Sequence, residues 1–157
     1  MGDKRGFTLL ELVVVIAVIG TILAIVTLNF TRLNEKYSVE SEIKDLYSNL
    51  MRVRDTATKT NTTQFIVVGA AQVQVGQDTT GDNNMDVISD TWRFARFTLN
   101  PLVNANFIFD RRGLADVDQI IQITGFSAAS APVMDCIDVR GTRLNMGLMT
   151  GANCVSR

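Results

Sequence analysis

Histidine is absent from this chain. The commonest general base and metal-binding side chain is therefore missing. Cysteine is scarce, with only Cys136 and Cys154. A four-ligand zinc site would need two more ligands, and no His can supply them. Proline occurs only at Pro101 and Pro132, and no Pro or Gly lies between Thr21 and Thr60. Nothing there breaks a helix. No Walker A motif is present, so no phosphate-cradling loop of that kind exists. No nucleophile constellation can be assembled either, and an enzyme is not expected. Neither charge sign dominates: 15 Lys and Arg stand against 16 Asp and Glu, a formal net charge of −1. That excludes a strongly basic nucleic-acid coat, and 46% hydrophobic residues exclude a disordered tail.

Charge is also missing locally. From Leu12 to Phe30 no residue carries one. A bilayer core needs roughly 20 apolar residues, so this run is a membrane-span candidate. Lys4 and Arg5 precede it, whereas residues 31–45 mix Arg32, Lys36 and Lys44 with Glu35, Glu40, Glu42 and Asp45. Basic flanks stay cytoplasmic, which orients the N-terminus inside and the bulk of the 157 residues outside. A cleaved secretory signal, with its site within "AVIGTILA" (residues 17–24), is the rival reading. Two Cys beyond a span point to a disulfide in an oxidising compartment, with a zinc pair as the alternative.

The helical pattern continues past the apolar run. Leu33, Tyr37, Ile43, Leu46, Tyr47, Leu50, Val53 and Ala57 recur mostly at steps of three or four, with charges between them. This predicts one helix of roughly 50 residues, greasy all round in its first half and on one stripe in its second. "TKTNTT" (58–63) ends it. Strand-like runs follow at 64–68, 72–75, 93–99, 106–110, 120–124, 136–139 and 143–146, with a turn at 140–142. No βαβ alternation occurs. The expected fold is α+β: a long N-terminal helix, its first half transmembrane, packed against a mostly antiparallel β-sheet head. Residues 76–90 read as a flexible connector, in which Asp78, Asp82, Asn84 and Asp86 partly match a calcium loop. Asn83 stands where such a loop needs Gly, and the bidentate Glu is missing.

Gly6-Phe7-Thr8-Leu9-Leu10-Glu11 before an apolar helix resembles the class III signal of type IV pilins and type II secretion pseudopilins. The resemblance implies that a prepilin peptidase cuts between Gly6 and Phe7 and methylates Phe7. Residues 1–6 would be the leader, 7–30 the transmembrane and filament-core half of the helix, and 31–157 the periplasmic or extracellular head. Glu11 would be the fifth mature residue, four after the new amine and on the same helical face. Leu28 stands where many major pilins have Pro. "FIFDRRGLAD" (107–116) and "CIDVRGTRLNMG" (136–147) are similar to the heads of GspH/FimT-type minor pilins and pseudopilins.

That resemblance implies a structural subunit with no cofactor. Its partners would be the peptidase, other pilin or pseudopilin subunits, inner-membrane assembly machinery and the membrane. The chain would sit in the inner membrane and then in a filament. The alternative is DNA capture in natural transformation through Arg140, Arg143 and Arg157, with Arg111 and Arg112 on the earlier turn. Thr142 departs from the "GRxR" pattern of DNA-binding heads, and residues 107–157 carry no net side-chain charge.

Overall fold

The computed structural model describes residues 8–80, 82, 84–103 and 105–156, and gives the backbone alone at residues 25–28. One helix, α1 (Leu9–Thr60), holds 52 residues. At 1.5 Å per residue it is about 78 Å long. It runs unbroken through Gly20 and Leu28. It stops at Asn61, whose left-handed backbone (φ 54°) turns the chain while its N–H bonds Ala57 O.

Nine strands follow: β1 (Gln64–Val68), β2 (Gln72–Gln77), β3 (Val87–Arg93), β4 (Thr98–Pro101), β5 (Asn106–Phe109), β6 (Gln119–Thr124), β7 (Cys136–Arg140), β8 (Arg143–Thr150) and β9 (Asn153–Ser156). They form two sheets, ordered β3-β2-β1-β5 and β4-β6-β7-β8-β9. Every pairing between them is antiparallel. Strict alternation of burial in β1 and β6 puts Ile66, Val68, Ile121 and Ile123 inward. They meet one helical stripe: Val39, Ile43, Leu46, Leu50, Val53 and Ala57, spaced by steps of four and three and all buried. Helix and both sheets share this single core.

Three expectations need correction. Leu33 and Tyr37 do not join the stripe that packs on the sheet; they are 50% and 63% exposed. Tyr37 and Val39 lie two residues apart, about 200° round the helix, so only one can face the head. Spacing alone admitted both. The anticipated strand 93–99 is two strands in different sheets, because the chain crosses over at residues 94–97. The region read as a connector up to residue 90 already contains the first half of β3. Strand β9 was not anticipated, since "NCVS" has almost no alternation to read.

Candidate functional site

The start of α1 is organised by Thr8. Its backbone is extended (φ −81°, ψ 152°), and its Oγ1 accepts a hydrogen bond from Glu11 N at 3.2 Å. Leu12 N donates to Thr8 O at 3.2 Å. Thr8-Leu9-Leu10-Glu11 therefore has the S/T-x-x-E spacing of a capping box. That spacing is a local signal, legible in the sequence alone. It gives Glu11 a local reason to stand in the first turn, where an acid also suits the helix dipole. Gly6 and Phe7 lie outside the described residues.

Among the described residues, none of the head covers the next turns. Leu9, Leu10, Leu12, Ile16 and Ile22 are each more than half exposed. An 18-residue window in this half has a mean hydropathy of 3.0 and buries none of its residues. By length and composition it suffices to cross a membrane. The bare surface extends from Phe30, at the end of the uncharged run, to Leu33 and Tyr37 beyond it; the three are 68%, 50% and 63% exposed. These three share one face, at i, i+3 and i+7.

The arginine turns lie at the other end of the molecule's fold. Asp110 Oδ1 accepts the N–H groups of Arg112 and Leu114, both at 2.8 Å, and shapes the first turn. Gly113 has φ 74°, and a Cβ there would meet Thr58 Cγ2 at 2.9 Å, so glycine is required twice over. Ala115 N donates to Gly141 O at 2.9 Å, which ties this turn to the β7–β8 hairpin turn. The structure thus brings the turn that carries Arg111 and Arg112 beside the turn between Arg140 and Arg143. Two of the four are engaged internally. Arg112 Nε pairs with Asp110 at 3.1 Å, and Arg140 Nε pairs with Asp138 at 2.8 Å. Arg111 and Arg143 form no ion pair among the described residues. Arg157 lies outside the described residues.

Asp78, Asp82 and Asp86 bring carboxylate oxygens within 4.8 Å of one another. Their oxygens already serve the loop. Asp86 Oδ2 accepts from Thr79 N, Thr79 Oγ1 and Thr80 N at 2.8, 3.0 and 2.9 Å. Asp82 accepts both N–H groups of Asn84, at 2.9 and 3.2 Å. The Asn84 side-chain bond lowers the Asp82 pKa, and the Thr79 N–H does the same for Asp86. These bonds, with that of Thr80 N to Asp78 Oδ1 at 3.0 Å, tie the three carboxylates to Thr79, Thr80 and Asn84.

Cys136 and Cys154 are joined in a disulfide, and no free cysteine remains. The bond reaches from β7 over β8 to β9. Gly147 of β8 pairs with Cys136 on one side and Ser156 on the other, and a Cβ there would lie 2.3 Å from Val155 O. Two residues on, Met149 N donates to Asp135 Oδ1 at 2.7 Å. Burial pushes the Asp135 carboxyl above its ordinary pKa.

The helix is bare in one half, clothed by an antiparallel head in the other, and headed by a capped Thr-x-x-Glu turn. Residues 1–27 match the prokaryotic N-terminal methylation motif. The type IV minor pilin FimU of Pseudomonas aeruginosa has a similar fold in two crystal forms. One aligns with a TM-score of 0.54 at 13% identity, over 80% of this chain and 96% of that one. The other aligns with a TM-score of 0.53 at 10% identity, over 74% and 96%. Among curated proteins no sequence matches. The motif thus occupies the start of the chain, and the fold as a whole is like that of a type IV minor pilin.

Proposed function

We propose that this chain is a minor pilin or pseudopilin of the GspH/FimT type, a structural subunit of a type IV pilus or a type II secretion pseudopilus. A prepilin peptidase cuts between Gly6 and Phe7 and methylates Phe7. The subunit is held in the inner membrane by residues 7–30, with the head, residues 31–157, in the periplasm. Assembly machinery then transfers it to a filament, where its bare helical surface packs on other subunits. The carrying observation is the methylation motif joined directly to a helix whose apolar half buries nothing. Surface suited to lipid is equally suited to apolar neighbouring helices. Glu11 serves as the partner of the new amine, on its own or a neighbouring chain. The N-terminus of the mature protein tests the reading. Mass spectrometry should find N-methyl-Phe7; an intact Met1 end, or a cut after residue 20, would overturn it.

A second reading is DNA capture by the head. The tie between Ala115 and Gly141, which brings the two arginine-bearing turns together, favours it. Ion pairs at Arg112 and Arg140 oppose it, because phosphate binding needs several unengaged cations and weakens steeply with salt. A gel shift with the detergent-solubilised chain at low salt decides. Retarded DNA that Arg111→Ala/Arg143→Ala releases supports capture; unshifted DNA removes it.

A further inference from the structure

Arg54 is half-buried on the head half of α1. Its Nε donates to Gly113 O at 2.8 Å, which anchors the Asp110–Gly113 turn to the helix. No carboxylate pairs with it among the described residues. A guanidinium partly withdrawn from water and lacking a counter-ion is an unfavourable arrangement in an isolated molecule. The acids nearby are already taken. Asp55 pairs with Lys59 at 2.5 Å, and Asp110 with Arg112 at 3.1 Å. Those pairs cancel, and Arg54 and Arg111 remain as local excess positive charge.

Arg54 and Arg112 line one pocket of about 260 Å³, together with Met51, Asp55 and Thr58. Thr58 Oγ1 already donates to Asp55 O at 2.8 Å. The guanidiniums are therefore the groups left to recognise a ligand. Nε of each is committed, to Gly113 O and to Asp110. Such anchoring fixes the plane of the guanidinium, and the terminal N–H groups of a fixed fork match a two-oxygen anion.

We infer that this pocket accepts a carboxylate presented by a neighbouring protein chain. The inference rests on the assembly reading above, which supplies the neighbour. A single small pocket with Asp55 in its wall suits one side-chain carboxylate. It does not suit a polyanion, whose adjacent phosphates would meet Asp55 and Asp110.

Two experiments on the full chain test this. In detergent micelles, the Arg54 Nε–H resonance should shift and saturate on titration with acetate, and Arg112→Gln, which keeps that reporter, should weaken the saturation. An unmoved resonance overturns the pocket as an anion site. In assembled filaments, Arg54→Lys followed by a zero-length carbodiimide should produce an interchain link from position 54 to an Asp or Glu, absent from the wild type. Coupling only within the chain overturns the inference, as does acetate-insensitive binding of DNA at this residue. If the wild-type chain stays out of filaments, the assembly reading fails instead, and the acetate titration still decides the pocket.

Discussion

At the scale of residues, Glu11 carries the sharpest expectation. A carboxylate near the end of a membrane span costs less than the roughly 2.5–3.5 kcal/mol it would cost at the centre, yet still needs a partner. Thr8 provides one reason for the acid, and the amine that the proposed cleavage would create provides another. Glu11→Ala leaves the cap's Thr8 Oγ1 acceptor and the Glu11-position N–H intact, so insertion and cleavage should persist. Incorporation into sheared filaments should fall about tenfold or more, the factor that 1.4 kcal/mol represents. Immunoblots of membrane and filament fractions check this; equal incorporation would leave Glu11 a capping residue alone.

Asp135 is the residue for a pH test. Its pKa is raised in the folded state, chiefly by burial. The folded state therefore holds the proton more tightly than the unfolded chain does. Stability from this group is fully present below the unfolded pKa and is lost as pH rises through the folded one. Asp135→Asn keeps an oxygen for Met149 N and removes the charge. It should raise the melting temperature at neutral pH and change it little in acid, a difference readable by calorimetry at the two pH values. Glu42 shifts in the same direction, by burial against the opposing pull of Arg96, and its Oε2 is buried without a hydrogen-bond partner.

At the scale of elements, α1 presents two faces with different work. Leu46→Ala opens a cavity in the shared core and should cost about 2–5 kcal/mol of head stability. Leu33→Ser with Tyr37→Ser touches no core and should change stability by about 0.5 kcal/mol or less. It should nonetheless reduce filament incorporation, because those side chains extend the bare face. Thermal melts and filament fractions together separate the two effects. The β7–β9 disulfide spans 18 residues. Its reduction should remove about 3 kcal/mol, or roughly 6–12 °C in melting temperature. Hydrogen exchange should quicken first in Asn153–Ser156.

At the scale of the whole molecule, what could be read in advance follows from range. The long helix was legible because apolar residues, charges and the absence of Pro and Gly act locally along it. The paired cysteines were legible from compartment, and the antiparallel head from the lack of βαβ alternation. The split into two sheets was not, since the crossover at residues 94–97 depends on pairings with residues far along the chain. Leu33 and Tyr37 were misplaced for a related reason: periodicity says that a helix has an apolar face, not which of two faces meets the head. The gathering of the arginine turns rests on one hydrogen bond between residues 115 and 141.

The N-terminal methylation motif, the capped first turn, the uncharged apolar run and the unbroken helix are all written in the sequence, because each arises from neighbours within a few residues. It is the tertiary structure that makes Val39 the first buried residue of the stripe, leaves Phe30, Leu33 and Tyr37 exposed, and gives Arg54 no carboxylate partner among the described residues. Those outcomes depend on where two sheets settle against one helix, and that position is set by burial of the shared core rather than by any local preference.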